Sequence, residues 1–189
     1  IQMNSQKVLA VNGLSKTFGS VVANRDVSLD LHRGEVLALL GENGAGKTTL
    51  MNMIFGHYMP DSGSVDIADA SGALTALSPG HPQAAIAAGI GMVHQHFTLA
   101  ENLDALDNIM LGAERLNGLR RHKAAARDKV QKIMKESGLS APLTVPVGRL
   151  TVGERQRIEI LKALYRDVKI LVLDEPTAVL TPQEADTLF

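Results

Sequence analysis

The segment GENGAGKT, Gly41 to Thr48, restricts what this chain can fold into more than any other feature. It matches G-x-x-x-x-G-K-[ST], the pattern of a phosphate-binding loop. Glycines allow successive backbone N–H groups to point at phosphate oxygens, and a helix that follows adds its positive end. The loop lies between the apolar run EVLALL, Glu35 to Leu40, and the amphipathic segment KTTLMNMIFG. This order predicts a buried strand of a parallel sheet, a phosphate loop and a helix that ends at Gly56.

The polar residues of the predicted loop have specific expected roles. Lys47 is expected to reach the β- and γ-phosphates of a nucleotide, and the Thr48 hydroxyl is expected to bind Mg²⁺. The alternative is a glycine-rich turn that carries an exposed lysine. The candidate nucleotide contacts in this segment are Gly41, Glu42, Asn43, Gly44, Ala45, Gly46, Lys47, Thr48 and Thr49.

A second apolar run, KILVLDEP, ends in two acidic residues, Asp174 and Glu175. Sheets of α/β proteins bind their ligands at the carboxyl ends of strands. Asp174 is therefore expected to hold Mg²⁺ as a Walker B aspartate, and Glu175 to orient or deprotonate the water that attacks the γ-phosphorus. Considered without the phosphate loop, the two acids could equally solvate the end of a strand.

The order of the elements indicates an α/β protein. PDSGSVDI and ALTALS are expected to pair as an antiparallel hairpin, and HPQAAIAAG to form a helix that starts at Pro82 and ends before Gly89. IGMVHQ reads as a further strand, and the pattern becomes helical after it. We predict a nucleotide-binding α/β core of residues 1–96 and 167–189, with an inserted α-helical subdomain of residues 97–166.

Composition excludes several functions. The formal net charge of −1 argues against a polybasic surface for nucleic acid, and the basic run RLNGLRRHKAAARDK is typical of a solvated helical face. The chain has no cysteine, so disulfides and thiolate metal sites are excluded. His94 and His96 flank Gln95, but no third metal ligand is evident nearby in the sequence. The apolar runs are far shorter than the roughly 20 residues of a membrane-spanning helix.

The segment LTVGE, Leu150 to Glu154, distinguishes among P-loop families. It resembles L-S-G-G-Q, the signature motif of the ATP-binding cassette (ABC) family, and it precedes the Asp174 strand as that motif does. Thr151 replaces the serine and keeps a hydroxyl, while Val152 and Glu154 resemble the variant found in importers of simple sugars and nucleosides. Thr151 and Glu154 also have the spacing of a capping box at a helix start. The predicted signature residues are Thr151, Val152, Gly153 and Glu154.

The resemblance covers nearly the whole chain and implies a P-loop NTPase core of the RecA-like type. It implies that Gln95 is the Q-loop glutamine, which senses Mg²⁺ and contacts the membrane subunits. Phe18 is similar in position to the aromatic residue that stacks on adenine, with Ala23 lining the same face, although a lone phenylalanine is more often a core residue. Ala178 and Thr181 occupy the D-loop, where Thr181 replaces the aspartate of the family pattern.

The resemblance also implies a function. The chain is expected to be an ATP-binding and ATP-hydrolysing subunit, or part of one, that energises an importer of nucleosides or simple sugars. In this family two cassettes enclose two ATP molecules head to tail, so the signature of one cassette acts on the ATP of the other. The expected partners are a second cassette fused in the same polypeptide, permease subunits and, indirectly, a substrate-binding protein. The expected location is peripheral, at the cytoplasmic face of the membrane.

One further expectation and two alternatives concern activity. The family's switch histidine lies beyond the final residue of this chain, so the isolated chain is expected to bind ATP with Mg²⁺ and hydrolyse it weakly. A soluble ABC ATPase of DNA repair or translation is an alternative, but it would need a coiled-coil or basic insertion. A nucleotide switch without hydrolysis is another alternative, against which Glu175 argues.

Overall fold

The computed structural model of the chain describes residues 6–94, 98–111, 113 and 119–174. It divides the chain into two compact units, residues 1–90 and 91–189. Within the described ranges, the first unit contains an antiparallel sheet and two helices, and the second is mainly helical. The predicted division into an α/β core and an inserted subdomain of residues 97–166 stays a prediction.

Four antiparallel strands form the sheet of the first unit, in the order β2-β1-β3-β4. β1 (Lys7–Phe18) is paired on both sides, with β2 (Val21–His32) and with β3 (Ser62–Ala68). β3 pairs in turn with β4 (Leu74–Ala76), which confirms the predicted hairpin. The best-buried apolar residues of the sheet lie on the two central strands: Leu9, Ala10, Val11, Leu14, Val65 and Ile67.

Two helices complete the first unit. α1 (Lys47–Phe55) ends at Gly56, whose φ of 88° is the left-handed conformation that glycine adopts readily. A Cβ at Gly56 would lie 2.9 Å from the carbonyl carbon of His81, so glycine is also required by the close approach of the chain before the next helix. That helix, α2 (Pro82–Ala87), starts at its proline. The predicted boundaries of both helices are confirmed.

The prediction of a buried strand at residues 35–40 is wrong. The structure assigns no strand there, and the segment follows a turn at Arg33 and Gly34. Val36 and Leu37 are exposed, and Leu40 is 93% exposed. The side chains of an apolar run favour burial, but a strand also needs a neighbouring backbone to satisfy its N–H and C=O groups. The described strands pair only with one another, so the run has no such neighbour among them.

Strands β5 (Ile90–Val93) and β6 (Ile170–Leu173) form a two-stranded sheet. Both were predicted from their apolar runs, IGMVHQ and KILVLDEP. Ile90, Val93 and Ile170 are buried, as expected for strands formed by apolar runs. The pairing matters for the site because the chain leaves β6 directly at Asp174.

Among the described residues, the second unit also contains three helices and a short 3₁₀ turn (Val147–Arg149). They are α3 (Ala105–Met110), α4 (Leu119–Ser137) and α5 (Val152–Tyr165). Their apolar faces meet in one core, whose fully buried members include Leu106, Ile109, Val130, Ile158 and Leu161. In the part of the chain that the structure describes, no helix has the length and apolar character needed to cross a membrane.

Candidate nucleotide-binding site

The loop before α1 has the backbone shape that phosphate binding requires. Gly44 and Gly46 adopt φ values of 84° and 89°, which side-chain-bearing residues avoid. α1 begins immediately afterwards at Lys47, and no side chain in the part of the chain that the structure describes caps its start. The first N–H groups of a helix lack acceptors within the helix, and together with the helix dipole they attract anions. The loop therefore leads into a helix end suited to a phosphate.

The side chain of Lys47 folds back over this loop. Its Nζ donates hydrogen bonds to the carbonyl oxygens of Gly41 at 2.6 Å and Glu42 at 2.8 Å. The loop is closed further by the Ala45 N–H, which donates to Glu42 at 3.1 Å. Both acceptors of the ammonium are neutral, so a phosphate oxygen would bind it more strongly. Thr48, in the first turn of α1, is exposed and carries the hydroxyl predicted to bind Mg²⁺.

Phe18 is the last residue of β1, and Ala23 lies on β2, the strand whose backbone approaches the loop. Phe18 is 45% exposed, so the alternative that it is a core residue is wrong. The Tyr58 ring meets it edge-on at 5.5 Å between centroids, and Lys16 Nζ lies 5.5 Å from the centroid. The carbonyl oxygen of Ala23 would be 2.2 Å from a Cβ placed at Gly46. β2 thus brings the residue predicted to line the adenine face against the end of the phosphate loop.

Asp174 is buried where β6 ends, with only 5% of its surface exposed. Its backbone N–H donates to the carbonyl oxygen of Val93 at 3.1 Å, so β5 holds it in place. A buried carboxylate at the carboxyl end of a strand agrees with the predicted position of a Walker B aspartate. The predictions for the remaining acid, the Q-loop and the D-loop lie outside the described residues; they concern Gln95, Glu175, Ala178 and Thr181.

The signature segment forms the start of α5, and the predicted capping box is confirmed. The Glu154 N–H donates to Thr151 Oγ1 at 3.3 Å, and Glu154 Oε2 accepts from the Thr151 N–H at 2.8 Å. The Thr151 hydroxyl also donates to Glu154 Oε2, at 2.8 Å. The Thr151 N–H foremost, and then this hydroxyl, hold the pKa of the Glu154 carboxyl below its ordinary value. Val152 is 63% exposed, and Gly153 is half-buried. The segment therefore has its N–H groups partly occupied by its own side chains.

An arginine holds the turn that leads into the signature segment. Arg155 donates to the carbonyl oxygens of Leu150 and Gly148, both at 3.1 Å. Gly148 in turn donates its N–H to the carbonyl oxygen of Glu101 at 2.9 Å, and Arg155 reaches the carboxylate of the same residue at 3.4 Å. The start of α5 is therefore attached to the loop before α3.

Two buried polar residues that were not predicted from the sequence form hydrogen bonds to the loop before α3. Glu159, on α5, accepts from the Thr98 N–H at 2.6 Å and from its hydroxyl at 2.9 Å. Asn108, on α3, accepts from the Ala100 N–H at 2.8 Å. Its amide nitrogen also lies within hydrogen-bond distance of three carbonyl oxygens, those of Ala100, Leu103 and Asp104. The sequence could have predicted a role for Glu159, because it is an acid within the apolar run IEIL, and a buried acid needs a hydrogen-bond partner.

Glu154→Gln is expected to keep the capping box and remove its pH dependence, because glutamine accepts the same N–H but does not titrate. The pKa of Glu154 is lowered in the folded chain from its ordinary value of 4.5. Its stabilising contribution is therefore fully present above that value and is lost as the pH falls through the lower folded pKa. Denaturant unfolding of both chains between about pH 7 and pH 3 measures this. A difference in unfolding free energy that stays constant across that range would contradict the prediction.

The loop with two left-handed glycines, the lysine folded over it and the helix that starts there define a P-loop nucleotide-binding protein. The family model for ABC transporters matches residues 24–178, and the chain belongs to this family. The predicted fold class is thereby confirmed: a P-loop α/β cassette with an antiparallel section.

Two relatives of known name and one solved structure show which members of the ABC family this chain is similar to. The glucose import ATP-binding protein TsgD13 of Haloferax volcanii is 41% identical over 99% of this chain and 38% of its own length. The nucleoside import ATP-binding protein NupA of Lactococcus lactis is 43% identical over 99% of this chain and 36% of its own length. This chain thus spans little more than a third of these relatives. The crystal structure of the ADP conformation of MJ1267, an ATP-binding cassette of an ABC transporter, superposes with a TM-score of 0.76 and 27% identity, covering 96% of this chain and 74% of that one.

Proposed function

We propose that this chain binds and hydrolyses ATP as a cassette of an importer for nucleosides or simple sugars. The observation that carries the proposal is the phosphate loop, in which the Lys47 ammonium lies over a turn of left-handed glycines at a helix start. That arrangement presents a cation and the first N–H groups of a helix to one anion. The relatives TsgD13, a glucose import ATP-binding protein, and NupA, a nucleoside import ATP-binding protein, support the choice of importer and of cargo class.

ATP would lie along the first unit with its base near Phe18 and its phosphates at the loop. An exposed aromatic face is suited to a base, since every base has a π-face. The loop amides and Lys47 would hold the β- and γ-phosphates. Ala23 supports a continuous site, because its backbone is in close contact with the end of the loop at Gly46.

The donors available for Mg²⁺ are of the right chemical kind. Thr48 offers a hydroxyl oxygen and Asp174 a buried carboxylate, and Mg²⁺ prefers oxygen ligands of this type. We assign them to the ion together with Gln95. When bound, Mg²⁺ would neutralise negative charge on the phosphates while the γ-phosphoryl group is transferred to water. Glu175 would orient or deprotonate that water.

The signature residues would act on ATP held by another cassette. Thr151 and Val152 are exposed, which a segment that faces a second molecule requires. In the free chain Glu154 occupies the Thr151 N–H, so a γ-phosphate from a partner would compete with this carboxylate. We propose a second cassette in the same polypeptide as that partner, permease subunits to be driven, and a substrate-binding protein acting through them. The assembly would lie at the cytoplasmic face of the membrane.

The test compares the chain with its Glu175→Gln variant, using ATP affinity with Mg²⁺ and the rate of phosphate release. We expect both chains to bind ATP equally and the variant to release phosphate about a hundredfold more slowly, as loss of a catalytic base requires. Glu136→Gln, which removes an exposed carboxylate of α4, is the matched control and should keep the original rate. Failure of the unmodified chain to bind ATP would refute the proposal, and equal rates in all three chains would remove Glu175 from the reaction.

A further inference from the structure

The amide side chain of Asn24 lies beside the phosphate loop, and the proposed function assigns it no role. Asn24 belongs to β2 and is only 8% exposed. Its Nδ2 donates a hydrogen bond to the carbonyl oxygen of Gly46 at 3.3 Å. Because a carbonyl oxygen can only accept, the amide has to face Gly46 through its nitrogen. This contact joins β2 to the last residue of the loop.

The other end of the amide is unsatisfied. Asn24 Oδ1 is buried and has no hydrogen-bond partner among the residues that the structure describes. A buried acceptor in this state lowers stability, because it has given up its bonds to water. Leucine has the same number of side-chain heavy atoms and a similar branched outline but no polar acceptor, so it would not carry the cost of an unsatisfied oxygen at this position. An asparagine that is unfavourable for packing points to a role for its Nδ2.

That role follows from the geometry of the peptide group. The carbonyl of Gly46 and the N–H of Lys47 belong to one planar trans unit, so they point in opposite directions. The Gly46 oxygen accepts from Asn24 and also from the Leu50 N–H at 2.9 Å, in the first turn of α1. Two donors therefore fix the direction of this carbonyl and, with it, the direction of the Lys47 N–H. That N–H belongs to the helix end that attracts anions.

We infer that Asn24 is a positioning residue for the phosphate loop, which aims the Lys47 N–H at a bound phosphate by holding the Gly46 carbonyl. The inference rests on the proposed binding of ATP. The residue before Asn24, Ala23, also contacts Gly46, through its carbonyl oxygen, and we assign Ala23 to the adenine face. Two successive residues of β2 would thus serve both ends of the nucleotide.

The experiment uses the 189-residue chain and its Asn24→Leu variant. It measures the Kd for ATP with Mg²⁺ and, without nucleotide, the midpoint of thermal unfolding. We expect the Kd to rise about five- to tenfold, as for loss of one hydrogen bond, with the melting temperature unchanged or higher. The matched control is Asn108→Leu, which removes a buried asparagine whose oxygen and nitrogen both have partners. It should lower the melting temperature and leave the Kd unchanged.

Each outcome decides between a positioning role and a packing role. If Asn24→Leu binds ATP with the original Kd, the inference is overturned and the proposed function stands. If the variant melts at a lower temperature or does not fold, Asn24 serves packing, and the inference is overturned whatever the Kd. If the unmodified chain itself does not bind ATP, the proposed function fails, and the inference fails with it.

Discussion

Lys47→Met should weaken the binding of ATP about a hundredfold, because a charge-assisted hydrogen bond to phosphate is lost in a site made for it. Methionine keeps a similar length and apolar stem, so the variant removes only the ammonium. The carbonyl oxygens that Lys47 contacts belong to Gly41 and Glu42, which are exposed, so water can replace the lost donor. The midpoint of thermal unfolding without nucleotide should therefore stay close to that of the unmodified chain.

Lys132→Met controls for the change in net charge. Lys132 is exposed on α4 and has only a loose contact of 3.8 Å with Glu136. Its removal should change the Kd for ATP by less than about twofold, since exposed ion pairs contribute little. Isothermal titration with ATP and Mg²⁺ measures both variants. Equal affinities for the two would show that the Lys47 ammonium does not contact phosphate and that the cation over the loop has another purpose.

Local requirements explain which features could be predicted from the sequence. The glycines of the loop, Pro82 at the start of α2 and Gly56 at the end of α1 each satisfy a backbone condition within a few residues. The capping box of Thr151 and Glu154 is a condition of the same kind, set by a spacing of three. Such features depend on neighbours in the chain and need no knowledge of tertiary packing.

Contacts between distant residues explain what was missed. Asn24 and Gly46 are 22 residues apart, and Thr98 and Glu159 are 61 residues apart. A polar residue at a buried position can be noticed in the sequence, but its partner is set by tertiary packing. The error at residues 35–40 has the same origin, because an apolar run does not specify the strand that would pair with it.

Gly46→Ala should be the most damaging single change in the loop. Alanine would need a φ of +89° and would place its Cβ 2.2 Å from the carbonyl oxygen of Ala23, a distance that backbone atoms do not tolerate. The strand or the loop must move, and Asn24 Nδ2, at 3.0 Å from the same Cβ, would be displaced as well. We expect the free energy of unfolding to fall by about 3 kcal/mol and ATP binding to be lost. Denaturant unfolding and titration with ATP measure the two effects.

The Gly34→Ala variant separates the free-energy cost of backbone strain from the cost of a steric clash. Gly34 has a φ of +74°, but a Cβ there meets no atom within 4 Å. Its replacement should cost about 1 kcal/mol, the conformational cost alone, and leave ATP affinity unchanged. The excess cost of Gly46→Ala then measures the packing of β2 against the loop. If both variants lose the same stability, Ala23 does not lie against Gly46, and the continuous nucleotide site built on that contact is wrong. If Gly46→Ala loses more stability and still binds ATP, the loop can shift without losing its phosphate-binding shape, and the left-handed turn at Gly46 serves packing alone.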